Sequence, residues 1–164
     1  DARIQRATGG GERADSVRSG LQALAGHAHE EDFVLVHDAA RPCLTSDDLE
    51  RLMSALEHDE VGGLLATPVV DTLKRSDEQG YVAETVPRQG LWRALTPQMF
   101  RFGVLERALR EAAERGTTAT DESQAVELLG LKPKLVEGSP DNLKITTPPD
   151  MAQAQRILAS RISS

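Results

Sequence analysis

Apolar residues recur along this chain with two alternating periods, and that alternation predicts an α/β domain on a mainly parallel sheet. Three observations carry the prediction. Phe33-Val34-Leu35-Val36 is an unbroken apolar run of strand length, as a strand buried on both faces requires. Leu49, Leu52, Met53 and Leu56 then repeat at helical spacing behind a capping Thr45 or Ser46. The 164 residues suit one core, so residues 1–164 are expected to form a single domain.

Taken in order, residues 2–7 read as a short strand before Gly9, Gly10 and Gly11, and Val17, Leu21 and Leu24 begin the first helix from Arg13. The strand Phe33–Val36 ends at His37-Asp38, and Asp47 and Asp48 suit the first turn of the helix that follows. Gly63 to Val70 reads as the next strand. Residues 71–75 and 81–86, joined by the turn-like Ser76-Asp77-Glu78-Gln79-Gly80, read as a hairpin with few core residues. Such a ribbon is marginal alone, so the stretch 71–89 is expected to be an arm that packs on a second subunit. No element is assigned between this arm and the helix carrying Leu105, Ala108, Leu109 and Ala112, which stops at Gly116. Thr120-Asp121-Glu122 opens a shorter helix ending at Gly130, and brief strands are expected at 134–136 and 143–146. Thr147-Pro148-Pro149-Asp150 opens the last helix, with Met151, Ala154, Ile157 and Leu158 expected to face inward.

Composition narrows the function. A net charge of −7 and only five aromatic residues disfavour a nucleic-acid partner or a base-stacking platform. The longest apolar runs are too short to span a bilayer and the first residues too polar for a signal-peptide core, so no membrane association and a cytoplasmic location are expected. The single Cys43 fits a reducing compartment and reads as a structural thiol.

Ligands of open parallel sheets bind at the carboxyl ends of strands, where Asp38 stands. Asp38 and Asp141 are candidates to share one Mg²⁺, an ion that takes one or two carboxylates and completes its shell with phosphates and water. Arg41, Arg88 and Lys144 are candidates for phosphate contacts. The three glycines match neither the dinucleotide fingerprint nor the P-loop, which weighs against a dehydrogenase. His37, beside Asp38, is expected to orient or pack rather than transfer protons, and His27, His29 and His58 to lie at the surface. Zinc-hydrolase and serine-hydrolase patterns are absent from the sequence.

Read in order, six blocks resemble the 2-C-methyl-D-erythritol 4-phosphate cytidylyltransferases. They are Gly10-Gly11-Glu12-Arg13-Ala14-Asp15-Ser16-Val17; Val34 to Pro42 with its His-Asp-Ala-Ala-Arg-Pro core; Asp71-Thr72-Leu73-Lys74-Arg75; Arg88 with Leu91-Trp92 and Leu95-Thr96-Pro97-Gln98; Thr120-Asp121-Glu122; and Val136-Glu137-Gly138 with Asp141-Asn142-Leu143-Lys144. The resemblance implies a nucleotide-diphospho-sugar-transferase-like, Rossmann-like fold and a homodimer joined by the hairpin arm. It also implies transfer of CMP from CTP to methylerythritol phosphate with release of pyrophosphate, in non-mevalonate isoprenoid synthesis. By position, Gly10 and Ser16 would hold the cytidine, Ala39 would lie near the ribose, and Asp38 beside the metal and α-phosphate, with Asp141 assisting the metal. Thr72, Thr96 and Thr120, with Arg41 close by, would line the acceptor pocket. Arg88, reaching from the partner's arm, and Lys144 would position the acceptor phosphate.

One departure stands beside these agreements. The family begins with a strand and a Gly-rich loop whose Arg and Lys wrap the triphosphate, and no counterpart precedes Asp1, where the sequence starts without Met. Loss of such cations costs orders of magnitude in rate, so the 164 residues alone are expected to be nearly inactive and to leave an open sheet edge. A related pentitol-phosphate cytidylyltransferase and a non-catalytic binding module are the competing readings.

Overall fold

A computed structural model describes residues 4–162. Its helices are α1 (Arg13–Leu24), α2 (Ser46–Leu56), α3 (Phe102–Glu114), α4 (Glu122–Glu127) and α5 (Pro148–Ile162). Its strands are β1 (Phe33–Val36), β2 (Gly62–Pro68), β3 (Leu73–Ser76), β4 (Val82–Val86), β5 (Trp92–Arg101) and β6 (Lys134–Glu137).

The central sheet has the order β1-β5-β2-β6. β2 and β6 pair in parallel while β5 runs antiparallel to both β1 and β2, so three of the four strands share one direction and the sheet is mixed. Gly62 and Gly63 allow this packing. A Cβ on Gly62 would stand 2.2 Å from the Met99 carbonyl oxygen, and one on Gly63 would stand 2.1 Å from that of Lys134. Each face of the sheet carries its own apolar layer. Phe100 packs with Leu21 of α1, Leu105 and Leu109 of α3 and Val126 of α4, whereas Leu65, Leu95, Met99 and Val136 pack with Leu52 and Leu56 of α2. β1 is an edge strand with Leu35 exposed and no residue fully buried, which corrects the expectation of a strand buried on both faces.

β5 has no counterpart in the sequence reading, because Pro97 within an apolar stretch argues against a central strand. A bulge resolves the conflict. Ala66 pairs with Ala94 and Leu64 with Gln98, so Leu95, Thr96 and Pro97 together oppose Leu65 alone, and Pro97 is not asked for a ladder hydrogen bond. The Thr96–Pro97 peptide bond is cis.

Three other expectations are corrected. Residues 4–7 are irregular rather than a strand, and residues 1–3 of that proposed strand lie outside the described residues. The strand expected at 143–146 does not form: the Asp150 carboxylate accepts from the Thr146 N–H and from the Thr147 N–H just beyond it, and the Ile145 N–H donates to the Ala40 carbonyl. On α5 only Ala154 is fully buried, while Met151 and Leu158 are exposed. The hairpin forms as expected, β3 and β4 making a separate antiparallel ribbon. Cys43 is fully buried with its pKa pushed up by burial, as suits a structural thiol.

Candidate active site

The chain leaves β1 at Val36 and delivers Asp38 into a group of cations. Asp38 Oδ1 accepts from Arg13 Nε at 3.0 Å, Oδ2 lies 3.1 Å from Lys144 Nζ, and Arg41 Nε stands 3.7 Å from Oδ2. These partners arrive from three directions: Arg13 from the first turn of α1, Arg41 from the loop after β1, and Lys144 from the segment before α5. Burial alone would raise the Asp38 pKa, but the hydrogen bonds from Lys144 and Arg13 outweigh it and hold the carboxyl below its ordinary range. Arg41 shifts downward, chiefly through burial, which its neighbour Asp38 only partly offsets.

The β5 bulge shapes the floor of this site. Because Thr96 is lifted out of register, its side chain meets the end of β1: the Asp38 N–H donates to Thr96 Oγ1 at 3.1 Å. Thr96 Oγ1 lies 2.9 Å from His37 Nδ1, and His37 Nε2 lies 3.0 Å from the Arg41 carbonyl oxygen. A carbonyl can only accept, so Nε2 carries a hydrogen and donates it to the Arg41 carbonyl. The His37 ring thus links Thr96 of β5 to the loop after β1. The Thr96 carbonyl accepts from Asn142 Nδ2 at 2.7 Å, and the Asn142 carbonyl accepts from Arg41 Nη1 at 2.8 Å. The Ile145 N–H donates to the Ala40 carbonyl at 2.8 Å, fastening the Lys144 segment to the loop after β1.

Gly10 and Ser16 also meet, the Gly10 N–H donating to Ser16 Oγ at 3.0 Å. A Cβ at Gly10 would come within 2.1 Å of the Asp15 Cβ, so this approach requires glycine. Ala39 is exposed in the turn directly after Asp38. Thr120 is exposed at the approach to α4, its N–H donating to Gln124 Oε1 at 2.7 Å. The next residues are fixed from β5. Buried Gln98 donates to Asp121 Oδ2 at 2.9 Å and accepts from the Ser123 N–H at 2.8 Å.

Other predicted residues take no part in the ion pairs around Asp38. Asp141 is exposed, its N–H donating to Ser139 Oγ at 3.1 Å. Thr72 and Arg88 belong to the arm, where the Arg88 guanidinium donates to the Val70 carbonyl at the arm's base. Among the described residues no group of three or more His, Cys, Asp or Glu side chains is placed to hold a metal ion. Asp38 is a partly buried hard-oxygen donor, and one such carboxylate fits Mg²⁺ completed by substrate phosphates and water.

Sequence reasoning missed Arg13, Glu122, Asn142 and Gln98 as parts of the site. Arg13 carried a signal, since a cation in the first turn of a helix opposes the helix dipole and so calls for a specific partner. Glu122 carried none, because an acid in that turn is ordinary.

The family model described as 2-C-methyl-D-erythritol 4-phosphate cytidylyltransferase matches residues 1–160. A protein of that name from Ectopseudomonas mendocina is 56% identical over 162 residues, covering 98% of this chain and 69% of its own length. One from Pseudomonas paraeruginosa is 59% identical over 154 residues, covering 93% of this chain and 66% of its own length. A crystal structure of 4-diphosphocytidyl-2C-methyl-D-erythritol synthase superposes with a TM-score of 0.83 at 46% identity, over 92% of this chain and 69% of that one. This chain thus spans about two thirds of the length of the relatives it matches. Among the described residues no helix is long and apolar enough to cross a membrane. The match over nearly the whole chain, the shared fold and the order of the six blocks have one reading: the chain belongs to the 2-C-methyl-D-erythritol 4-phosphate cytidylyltransferase family.

Proposed function

We propose that the full-length gene product transfers CMP from CTP to 2-C-methyl-D-erythritol 4-phosphate, in the cytoplasm, as a step of isoprenoid precursor synthesis. The observation that carries this reading is the convergence of Lys144 and two arginines on Asp38 at the carboxyl end of β1, between the Gly10–Ser16 turn and the Lys144 segment. Such a site suits two anionic substrates in an otherwise acidic chain.

In the proposed reaction an oxygen of the acceptor phosphate attacks the α-phosphorus of CTP. A new P–O bond forms, the bond from the α-phosphorus to the bridging oxygen breaks, and pyrophosphate departs with the electron pair. No protein nucleophile is needed, so the side chains position two anions and balance charge. Gly10 and Ser16 hold the cytidine, with Ala39 beside the ribose. Lys144, now paired with Asp38, turns its ammonium to the acceptor phosphate, and Arg41 braces the loop from beneath. Thr72, Thr96 and Thr120 border the acceptor, Thr96 mainly by fixing the Asp38 backbone. A bound Mg²⁺ would neutralise triphosphate charge beside Asp38, with Asp141 as a second carboxylate. Residues 1–164 act as one domain, and the arm at 71–89 joins two copies so that Arg88 reaches the neighbouring acceptor phosphate.

The test is a pyrophosphate-release assay of the full-length protein with CTP, Mg²⁺ and either methylerythritol phosphate or ribitol phosphate. Turnover with methylerythritol phosphate alone is expected. Turnover with ribitol phosphate alone would assign the related pentitol-phosphate activity, and none with either would favour a binding module.

A further inference from the structure

The roles above leave unused the pair that lies beneath Asp38. Arg13 gives its Nε hydrogen to Asp38 and places its fork on Glu122, with Nη1 at 2.5 Å from Oε1 and Nη2 at 2.9 Å from Oε2. Glu122 is only 1% exposed, so its charge is held by a partner that is itself held twice. The anchor is rigid further down as well, because Gln98 of β5 bonds both residues flanking Glu122.

The two oxygens of Asp38 consequently have different surroundings. Oδ1 belongs to Arg13. Oδ2 faces Lys144, whose side chain is 45% exposed, and Arg41, whose Nε is too distant for a hydrogen bond. One oxygen is fixed by a bonded arginine, and the other meets a cation on a flexible stem that can be exchanged. Arg13 also ties the start of α1, which bears the Gly10–Ser16 turn, to the start of α4, which Thr120 approaches. A planar fork with a separate Nε hydrogen gives Glu122 two parallel bonds and Asp38 a third in fixed directions, which the compact lysine ammonium cannot reproduce.

We propose that Arg13, anchored by the buried Glu122, is a positioning residue for the transfer reaction that locks Asp38 through Oδ1 and so presents Oδ2 alone to the substrates. This rests on the proposed cytidylyl transfer. Arg13 touches no reacting atom; it acts through Asp38.

Removing Arg13 alone strands a buried carboxylate and endangers the fold, so the decisive variant replaces both partners with apolar side chains. Arg13→Met/Glu122→Leu eliminates the buried pair without leaving a lone charge, an exchange that buried ion pairs tolerate. Wild type and variants of the full-length protein are compared by thermal midpoint and by kcat and KM with CTP, methylerythritol phosphate and Mg²⁺. The expected result is a double variant that melts near the wild type, keeps its KM for CTP, and turns over about 10²-fold more slowly, the cost of a misplaced group. Recovery of both the midpoint and kcat would make the pair purely structural and overturn the proposal. Should the double variant fail to fold, Arg13→Lys decides: a fall in kcat at a near-normal midpoint supports positioning, and full kcat overturns it. A wild type without turnover removes the cytidylyl-transfer reading itself, and this inference with it, which separates that failure from the variant's own.

Discussion

Asn142→Ala tests how the β5 bulge is held. Asn142 is wholly buried, and its Nδ2 is the donor to the Thr96 carbonyl, in a stretch that the bulge has freed from the sheet ladder. Truncation leaves that buried carbonyl without its donor, at a cost of about 1–3 kcal/mol. The void left by the amide adds about 0.5–1 kcal/mol. Relief acts the other way, because Asn142 Oδ1 finds no partner among the described residues and its removal returns about 1 kcal/mol. The net loss is about 2 kcal/mol, which for a domain of this size lowers the melting midpoint by about 4–8 °C. Circular dichroism melts of the two proteins, run side by side, measure it. Turnover should fall as well, since Thr96 and the Lys144 segment both lean on this residue. An unchanged midpoint would refute the assignment of Asn142 as the tether of the bulge.

Arg88→Ala in the full-length protein should raise KM for the acceptor or lower kcat while leaving CTP affinity nearly unchanged, as steady-state kinetics with each substrate varied would reveal; equal loss of both affinities contradicts its role. Lys144→Met removes the exposed cation on Asp38 Oδ2 and should lower kcat/KM for the acceptor by about 10²-fold with only a small change in midpoint, because Asp38 keeps its bond from Arg13 and the lost ammonium is half-exposed. Asp150 predicts a pH effect. Backbone and side-chain hydrogen bonds from Thr146 and Thr147 hold its pKa down at about 2. A depressed carboxylate stabilises the fold above the ordinary aspartate range near about 3.9 and loses that contribution as the pH falls toward the folded value. The midpoint advantage of wild type over Asp150→Asn should therefore be largest above that range and shrink as the pH falls toward about 2; an advantage that grows on acidification would refute the assignment.

Most elements were legible because their residues agree with their surroundings. The unbroken run Phe33–Val36 marked a strand, though not its place at the sheet edge with Leu35 exposed, and the α2 helix announced itself through Thr45, whose side chain accepts from the Asp48 N–H. β5 was not legible because Pro97 is tolerated only through a bulge that the partner strand creates, a tertiary fact with no local signature. Residues 143–146 failed in the opposite sense: their β-branched side chains suit a strand, but Asp150 takes the N–H groups. The site divides likewise. Asp38 could be placed at a strand end from the sequence, with Arg41 and Lys144 as candidate cations, and the structure brings the three together. The buried supports could not be foreseen, because Glu122 and Asn142 look like ordinary cap and turn residues until α4 and the Lys144 segment are folded against β1 and β5. Asp141, three residues before Lys144 and equally suggestive, is exposed and takes no part in the ion pairs that hold Asp38.

The most direct test of the proposed chemistry follows the phosphorus atoms themselves. Full-length protein is mixed with CTP, methylerythritol phosphate and Mg²⁺ and monitored by ³¹P NMR, beside an Asp38→Asn variant of matched thermal stability. The expected result is growth of a diphosphate diester and of pyrophosphate in equal amounts with the wild type, slowed by orders of magnitude in the variant. Pyrophosphate release without the diester, or an Asp38→Asn variant as fast as the wild type, would contradict the assignment of the Asp38 cluster as the centre of cytidylyl transfer.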